Sequence, residues 1–104
     1  MRGPRIERSS GARHDAKQLA LWIGRESGAT RARAVTERLE AAIRLLARRP
    51  HLGRLRLDLE GEPKSFSVAP WVIVYEPLED GNGIRLLRIL DSRRDIAALM
   101  GKKS

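Results

Sequence analysis

The stretch that decides the fold is "WVIVYEPLEDGNGIRLLRIL", residues 71 to 90. Its first five residues are apolar, and residues 84 to 90 are apolar except for two arginines. Apolar runs of this length are typical of strands that are covered on both faces. Between the two runs, an Asp-Gly and an Asn-Gly pair at residues 80 to 83 supply tight turns that accept positive φ angles. The stretch therefore predicts a β-hairpin.

Two segments ahead of this hairpin also have the period of β-strands. Residues 53 to 61, "GRLRLDLEG", alternate Leu55, Leu57 and Leu59 with charged residues, and residues 64 to 69, "KSFSVA", alternate apolar residues with serines. The intervening Glu-Gly-Glu-Pro is a turn signal. Together with the hairpin, these segments predict an antiparallel meander of three or four strands.

The N-terminal half begins with the period of an amphipathic helix. Apolar side chains recur at steps of three and four residues from Ala12 to Ile23. Ser9 or Ser10 can cap the start of this helix, and Gly28 marks its end. The sequence therefore predicts a first helix that ends at Gly28.

The same period returns in a second segment, from Ala32 to Leu46. Thr30 is the predicted N-cap, and Pro50 is the predicted stop. Because the link near Gly28 is so short, the two helices should form an antiparallel hairpin. Charged residues lie off the apolar stripe and predict a solvated polar face with some ion pairs: Arg31, Arg33, Arg38, Arg44 and Arg48, with Glu37 and Glu40.

The order of these segments predicts the fold class. Consecutive helices followed by consecutive strands favour an α+β fold, a single domain over residues 1 to 104 with the helical hairpin packed on one face of the sheet. Ile6 is the one large aliphatic residue of the first ten, which fit either a short edge strand or a frayed arm. Residues 93 to 100, "RRDIAALM", predict a short C-terminal helix with Asp95 favourably placed near its N-terminus.

Charge predicts an anionic partner. The chain has 21 Lys plus Arg against 13 Asp plus Glu, a formal net charge of +8 and a pI near 11.2. Nucleic acid, an acidic protein or a membrane surface would all fit this charge. Nearly all of the positive charge is arginine, which a GC-rich genome also produces without selection for binding. Arginine content alone therefore does not choose a partner.

Composition also excludes several classes of function. Cysteine is absent, which removes disulfides and thiolate chemistry and suits a reducing cytoplasm. We find neither a transmembrane segment nor a signal peptide, so we expect a cytoplasmic protein without a membrane partner. His14 and His51 lie far apart, and no phosphate-binding or dinucleotide loop occurs. We therefore expect no metal and no cofactor.

Three residues of the predicted hairpin are candidates for a site. Arg88 should share a strand face with Leu86 and Leu90, where it needs an ion-pair partner or access to water. Asp91 and Asp95 are its near neighbours in sequence and could be that partner. Trp71 and Tyr75 alternate on one face of their strand and are either core residues or a stacking surface for a base.

The chain resembles the RelE/ParE toxins of type II toxin-antitoxin modules, and the ParE branch most closely. The resemblance spans about residues 12 to 100 and is carried by "ERLEAAIRLLARRPHLGRLR", residues 37 to 56, and by residues 64 to 100. Its most specific parts are Pro50 with Gly53-Arg54, the W-V-I-V-Y strand, and the ending L-x-x-L-x-x-R-R-D, formed by Leu87, Leu90, Arg93, Arg94 and Asp95.

This resemblance implies a compact sheet with two N-terminal helices and a labile antitoxin that wraps and neutralises the toxin. ParE toxins act on DNA gyrase and trap it with cleaved DNA, whereas RelE-type relatives cut messenger RNA in the ribosomal A site. Two mechanisms therefore share one fold, and only the chemistry of the site residues can distinguish them.

Cleavage of RNA needs groups that move protons as well as groups that bind phosphate. Many family members have histidine at the position of Asp91, and the neighbouring Ser92, Arg93 and Arg94 supply neither His nor Tyr. This departure weakens the ribonuclease alternative. If the chain does cleave RNA, the candidate catalytic residues are Arg54, Tyr75, Arg88 and Arg94.

From the sequence we therefore expect a non-enzymatic toxin that inhibits DNA gyrase and forms a hetero-oligomer with a ParD-like antitoxin. The candidate target-binding residues are Arg54, Trp71, Arg88, Arg93 and Arg94. One alternative is a ribosome-dependent mRNA endoribonuclease of the RelE type. The other is a non-toxic, basic nucleic-acid-binding module.

Overall fold

A computed structural model describes residues 3–102 of the chain, so the ends of the predicted domain, residues 1–2 and 103–104, lie outside the described part. The order of elements is β1 (Arg5–Arg8), α1 (Ser10–Ser27), α2 (Ala29–Arg48), β2 (Arg54–Leu55), β3 (Lys64–Val68), β4 (Trp71–Pro77), β5 (Gly83–Asp91) and α3 (Ile96–Met100). The predicted α+β class is confirmed.

The predicted hairpin is confirmed and lies inside the sheet. Within residues 3–102 the sheet has five strands in the order β1-β5-β4-β3-β2, so both β4 and β5 have a neighbour on each side. The first five residues of β4 are all buried, as expected for a strand covered on both faces. In the connecting turn the Asn82 amide donates to the Asp80 carboxylate at 3.0 Å.

The sheet is larger than the predicted meander because the chain begins with a strand. Of the two alternatives for the first ten residues, the edge strand is confirmed: β1 pairs in parallel with β5, from Arg5 beside Gly83 to Arg8 beside Leu86. A Cβ atom at Gly83 would collide with the Arg5 carbonyl oxygen. Glycine at this position therefore allows β1 to approach β5.

The predicted strand at residues 53 to 61 is wrong over most of its length. Only Arg54 and Leu55 belong to β2, and the chain turns at Leu57 and Asp58. Because of this turn Leu57 is 62% exposed, whereas Leu59 is fully buried. The alternation of leucines continued beyond the point where the backbone leaves the sheet.

The two helices form the predicted hairpin, but with a different cap. Ser9 caps α1 and accepts from the Ala12 amide at 3.0 Å, and Gly28 ends that helix with a φ of 88°. Gly28 is also the N-cap residue of α2, which has no side-chain cap. Thr30 lies inside α2 and is not the predicted N-cap, because a single residue joins the two helices.

The main core lies between the helical hairpin and one face of the sheet. Buried residues of α1 and α2 pack there against alternate residues of β4 and β5, among them Leu19, Ile23, Leu39, Ile43, Leu46, Trp71, Ile73, Tyr75, Ile84, Leu86 and Ile89. Trp71 and Tyr75 are confirmed as core residues on one face. No helix of the described chain is both long and apolar enough to cross a membrane.

The opposite face of the sheet has a smaller core. Val72, Val74 and Leu90 are buried there. The predicted C-terminal helix α3 is confirmed and packs against them through aliphatic side chains, namely Ile96, Leu99 and Met100. The Asp95 carboxylate caps α3 by accepting from the Ala98 amide at 3.1 Å.

A β-bulge in the central hairpin changes which side chains share a face. The register of β4 and β5 shifts between Val74, which pairs with Arg88, and Tyr75, which pairs with Leu86. The extra residue reverses the alternation along β5. Leu86 therefore packs under the helices and Leu90 under α3, and the predicted common face of Leu86, Arg88 and Leu90 is wrong.

Candidate binding cleft

A cleft of about 370 Å³ lies between α1 and the C-terminal end of β5. It forms because β1 pairs with β5 only as far as Leu86, after which the chain turns into α1. The lining residues are His14, Asp15, Gln18, Leu19 and Trp22 of α1, Trp71 of β4, Ile89, Leu90, Arg88 and Asp91 of β5, and Arg94. Three of the predicted site residues, Trp71, Arg88 and Arg94, are therefore brought together here.

Arg88 is held in place by α1. Its Nε donates to Oδ2 of Asp15 at 2.7 Å and its Nη2 donates to Oδ1 at 3.1 Å. The same carboxylate accepts the Ile89 amide at 2.9 Å, and its side chain is only 10% exposed. The hydrogen bonds that Arg88 donates to the Asp15 carboxylate raise the pKa of the Arg88 guanidinium. Asp15 thus matches the charge of Arg88 and fixes its position.

This pairing corrects the predicted partners of Arg88, Asp91 and Asp95. Both aspartates follow Arg88 closely along the chain, but Arg88 is bound by Asp15 because α1 packs against β5. A Cβ atom at Gly11 would lie 3.0 Å from Cδ of Arg88. Gly11, one helical turn before Asp15, therefore lets the arginine stem pass close to α1.

Asp91 has a different partner at the mouth of the cleft. Nε and Nη2 of Arg93 donate to its two carboxylate oxygens at 2.9 and 2.6 Å, and the Arg93 amide also donates to Oδ1 at 2.9 Å. These bonds lower the pKa of Asp91 to about 2, so the carboxylate is ionised at neutral pH. The Arg93 side chain is 74% exposed, but its charge is matched.

Arg94 is the cation of the cleft whose charge is not matched. Its backbone amide donates to the Asp91 carbonyl at 3.1 Å. Its guanidinium takes part in none of the ion pairs formed within residues 3–102. Arg94 is exposed to solvent. An anionic group that enters the cleft can therefore bind Arg94 without displacing an internal partner.

The apolar part of the cleft is formed by two tryptophans and by the aliphatic side chains beneath the opening. Trp71 begins β4 opposite Asp91 and is 9% exposed, whereas Trp22 on α1 is 48% exposed. Leu19, Ile89 and Leu90 are buried beneath the opening. The sequence assigned Trp22 to the apolar stripe of its helix. No sequence signal marked Trp22 as a residue of the cleft.

The sequence analysis also did not identify His14 as a residue of the cleft. His14 comes from the first turns of α1 and lines the cleft together with Arg94 and Asp91. The segment around Asp91 does lack His and Tyr, as the sequence shows, but the fold brings a histidine from 77 positions earlier in the chain. No sequence signal linked His14 to the end of β5.

Two predicted site residues lie away from the cleft. The fully buried Tyr75 uses its hydroxyl to accept the Gly53 amide at 2.8 Å and to donate to the Pro50 carbonyl at 2.9 Å. Burial raises the pKa of this hydroxyl. Arg54 is exposed on the edge strand β2, with β3 and β4 between it and β5. Neither side chain is brought next to Arg94.

The other arginines near the sheet are used in ion pairs. Arg8 donates to both carboxylate oxygens of Glu40 at 2.9 and 3.2 Å, so Glu40 pairs across to β1 and not along α2 as predicted. Arg85 pairs with Glu7 and Glu76 on the neighbouring strands.

In the chain from residue 3 to 102, no three His, Asp or Glu side chains group together in a way that could hold a metal ion.

Chemically, the cleft is suited to binding an apolar group that carries a negative charge. Its buried walls offer contact area, Arg88 and Asp91 are internally paired, and Arg94 offers an unmatched charge. A salt bridge at the edge of an apolar surface contributes more than a fully exposed one because water screens it less.

Comparison with known proteins gives consistent similarities over most of the chain. The sequence model described as "ParE toxin of type II toxin-antitoxin system, parDE" matches residues 6–96. Toxin ParE3 of Caulobacter vibrioides is 34% identical over 100 residues, which cover 96% of this chain and 98% of that protein. The fold also matches a solved structure of a chromosomal ParDE TA system from P. aeruginosa, with a TM-score of 0.70 at 14% identity, over 85% of this chain and 95% of the other.

Proposed function

The chain belongs to the ParE toxin family of type II toxin-antitoxin systems, and from this premise we propose that it inhibits DNA gyrase and is neutralised by a cognate ParD-like antitoxin. One observation carries the choice of mechanism: two of the four candidate catalytic residues are already engaged in contacts within the fold. Arg88 is bound to Asp15, and the Tyr75 hydroxyl is bound to Gly53 and Pro50. These contacts support binding as the mode of action.

The proposed target contacts lie around the mouth of the cleft. Arg93 and Arg94 are exposed there, and Trp71 forms part of the wall. Arg88 supports this surface by its bonds to Asp15, and Arg54 extends the basic surface to the far edge of the sheet. A large, charged enzyme such as gyrase fits a net charge of +8 that is spread over several faces. Gyrase acts in the cytoplasm, so we propose that the toxin acts there.

The antitoxin would cover apolar surface that the fold leaves open. Five large apolar side chains of the described residues are between 44% and 62% exposed: Leu21, Trp22, Leu52, Leu55 and Leu57. Arginines lie close to them in the chain, so acidic residues of the antitoxin would meet these cations. A stable hetero-oligomer of toxin and antitoxin follows from this proposal.

A supercoiling assay with purified gyrase tests the proposed target. Relaxed plasmid, ATP and gyrase are incubated with increasing amounts of the toxin, with and without its antitoxin. We expect supercoiling to stop, linear DNA to accumulate after detergent treatment, and the antitoxin to restore activity. Unchanged supercoiling at a large molar excess of folded toxin would contradict the proposal.

His14 favours a second candidate function, ribosome-dependent cleavage of messenger RNA. A histidine at the edge of an arginine-bearing cleft is the type of residue that transfers a proton in RNA cleavage. The deciding comparison is translation with purified ribosomes. If the toxin cleaves mRNA there and His14→Ala abolishes cleavage while gyrase is unaffected, this second function replaces the first.

A further inference from the structure

We propose that the free toxin binds the phosphate backbone of duplex DNA through an arginine ridge, which we define as Arg48, Arg49 and Arg54. This contact goes beyond the proposed inhibition of gyrase and lies away from the cleft, because neither α2 nor β2 contributes to the cleft lining. The choice of DNA among polyanions rests on the proposed function, since a gyrase inhibitor acts beside the DNA that gyrase holds.

The ridge lies in a stretch that holds half of the net charge. Residues 47–57 contain four arginines and no Asp or Glu, so these eleven residues contribute four of the eight net positive charges. Arg56 is paired with Asp58 at 2.8 Å, and the other three arginines form the ridge. All three are exposed and take part in none of the ion pairs formed within residues 3–102. The fold therefore leaves their charge unmatched.

The backbone of the ridge is held by one buried hydroxyl. The Tyr75 hydroxyl donates to the Pro50 carbonyl at 2.9 Å and accepts the Gly53 amide at 2.8 Å. Arg49 directly precedes the first of these two buried anchor residues, and Arg54 directly follows the second. A partner therefore meets a preformed backbone, which lowers the entropy that is lost on binding.

Helix electrostatics explain only part of the ridge. Arg48 and Arg49 lie at the C-terminal end of α2, where a cation interacts favourably with the partial negative charge of the helix dipole. Arg54 lies in β2 and has no such role. A guanidinium that the fold does not use is available to an anion outside the chain.

The chemistry of the ridge fits a duplex better than a single strand. Guanidinium groups bind phosphate oxygens through paired hydrogen bonds, and three of them suit a polyanion with regularly repeated charges. Proteins that bind single strands stack the bases on aromatic side chains, but residues 47–57 contain no Phe, Tyr or Trp. The exposed leucines of this stretch, Leu52, Leu55 and Leu57, are proposed to be covered by the antitoxin, so the DNA would bind the toxin without its antitoxin.

The salt dependence of DNA binding counts the phosphate contacts. Each phosphate that the protein neutralises releases counterions, so the logarithm of the binding constant falls with the logarithm of the salt concentration, with a slope of about −0.9 per contact. The assay is the fluorescence anisotropy of a labelled duplex of about 20 base pairs, without gyrase, at about 50 to 200 mM salt. The competitors are the matching single strand, a duplex RNA of the same sequence and poly-glutamate.

We expect the parent toxin to bind the duplex regardless of its sequence, because phosphate contacts carry no sequence information. The triple variant Arg48→Gln/Arg49→Gln/Arg54→Gln should reduce the magnitude of the salt slope by about 2.7, which is three contacts. Each single substitution should reduce it by about 1. Because the three side chains are exposed, the Tm of each variant should equal that of the parent protein.

The matched control is Arg25→Gln/Arg31→Gln/Arg33→Gln, which removes the same charge. These arginines are also exposed and outside the ion pairs formed within residues 3–102, but they lie around the turn at Gly28. Arg33 and Arg48 are separated by about 22 Å along α2, at about 1.5 Å per residue. The control variant should therefore bind the duplex with the salt slope of the parent protein.

Three results would overturn the inference. The first is an absence of duplex binding at the lowest salt concentration. The second is an equal loss of slope in the ridge and control variants, because total charge and not the ridge would then bind DNA. The third is tighter binding of the single strand, the duplex RNA or poly-glutamate, which would assign the ridge to that polyanion.

Gyrase supercoiling is measured with the same proteins, so the two proposals fail separately. Inhibition of gyrase without DNA binding removes only this inference. DNA binding through the ridge without inhibition removes only the proposed target.

Discussion

Strand β4 carries one aromatic residue of the main core near each end, Trp71 and Tyr75, and the two ends are built differently. Around Tyr75 everything is closed: the hydroxyl is fully buried and both of its hydrogen bonds go to the chain between Pro50 and Gly53. Around Trp71 the structure opens into the cleft, where Trp22 is half exposed and Arg94 has no ion-pair partner among the described residues. The closed end stabilises the fold, and the open end is where we propose that the protein binds its partner.

This difference predicts that substitutions at the closed end cost stability. The largest effect is expected for Gly53→Ala, because the new Cβ would lie 2.5 Å from the Tyr75 hydroxyl oxygen and 2.8 Å from the Ser65 carbonyl oxygen. Overpacking against backbone leads us to expect a loss of about 3 kcal/mol in the free energy of unfolding, measured by urea denaturation. Gly24→Ala is the matched control, since a Cβ there meets nothing within 4 Å, and it should stabilise α1 by about 0.5–1 kcal/mol. Similar curves for both variants would contradict a tightly packed end.

Tyr75→Phe tests the hydrogen bonds of the closed end without changing its shape. The Gly53 amide and the Pro50 carbonyl would lose their buried partner. We expect a loss of about 2 kcal/mol in unfolding free energy and a lower Tm, since an unsatisfied buried polar group costs about 1–3 kcal/mol. If the variant is as stable as the parent, the Tyr75 hydroxyl is not a structural group and becomes available for chemistry.

Asp15→Asn should have an intermediate effect on stability, because it weakens a contact that holds the cleft together. The substitution removes the charged partner of Arg88 and weakens the two-point contact between α1 and β5. With Arg88 still 29% exposed, water can replace part of the interaction, so we expect a loss of about 1–2 kcal/mol. Glu7→Gln is the control: its exposed pair with Arg85 should contribute at most about 0.5 kcal/mol. Equal effects of the two variants would show that Asp15 holds nothing in place.

The smallest effect concerns pH at the open end. Because the folded pKa of Asp91 is about 2 and its ordinary value is about 3.9, the Asp91-Arg93 interaction stabilises the fold above about pH 4. This contribution disappears as the pH falls from about 4 towards 2. In an NMR titration the Asp91 carboxyl carbon should show a midpoint near 2. Arg93→Ala should raise that midpoint only part of the way, since the backbone amide at position 93 still donates.

The helices, the central hairpin and the main core could be predicted well from the sequence. Apolar periodicity identified both long helices, the central hairpin and α3, because the periods of helix and strand depend on local geometry alone. The core positions of Trp71 and Tyr75 follow from the same alternation. The predicted caps of α1 at Ser9 and Gly28 were confirmed, because a single local interaction determines each end of that helix.

The register of β4 with β5 and the lining of the cleft depend on contacts that the sequence does not display. The bulge at Val74 and Tyr75 has no signature because β4 is apolar on both faces, so a shift of one residue leaves the pattern unchanged. The partner of Arg88 lies 73 positions away, and acidic residues nearer in the chain appeared equally suitable. The assembly of His14, Trp22 and Arg94 around one cleft likewise requires the path of α1 across the end of β5.

The most direct test of this account compares charge reversals in the supercoiling assay. Arg94→Glu changes the open end, and Arg44→Glu changes another exposed arginine that does not line the cleft. Both substitutions alter the net charge by the same amount. We expect equal Tm values, unchanged gyrase inhibition by Arg44→Glu, and at least about tenfold weaker inhibition by Arg94→Glu, because a like charge at a contact repels the partner. Inhibition by Arg94→Glu at the strength of the parent protein would contradict the role of the open end.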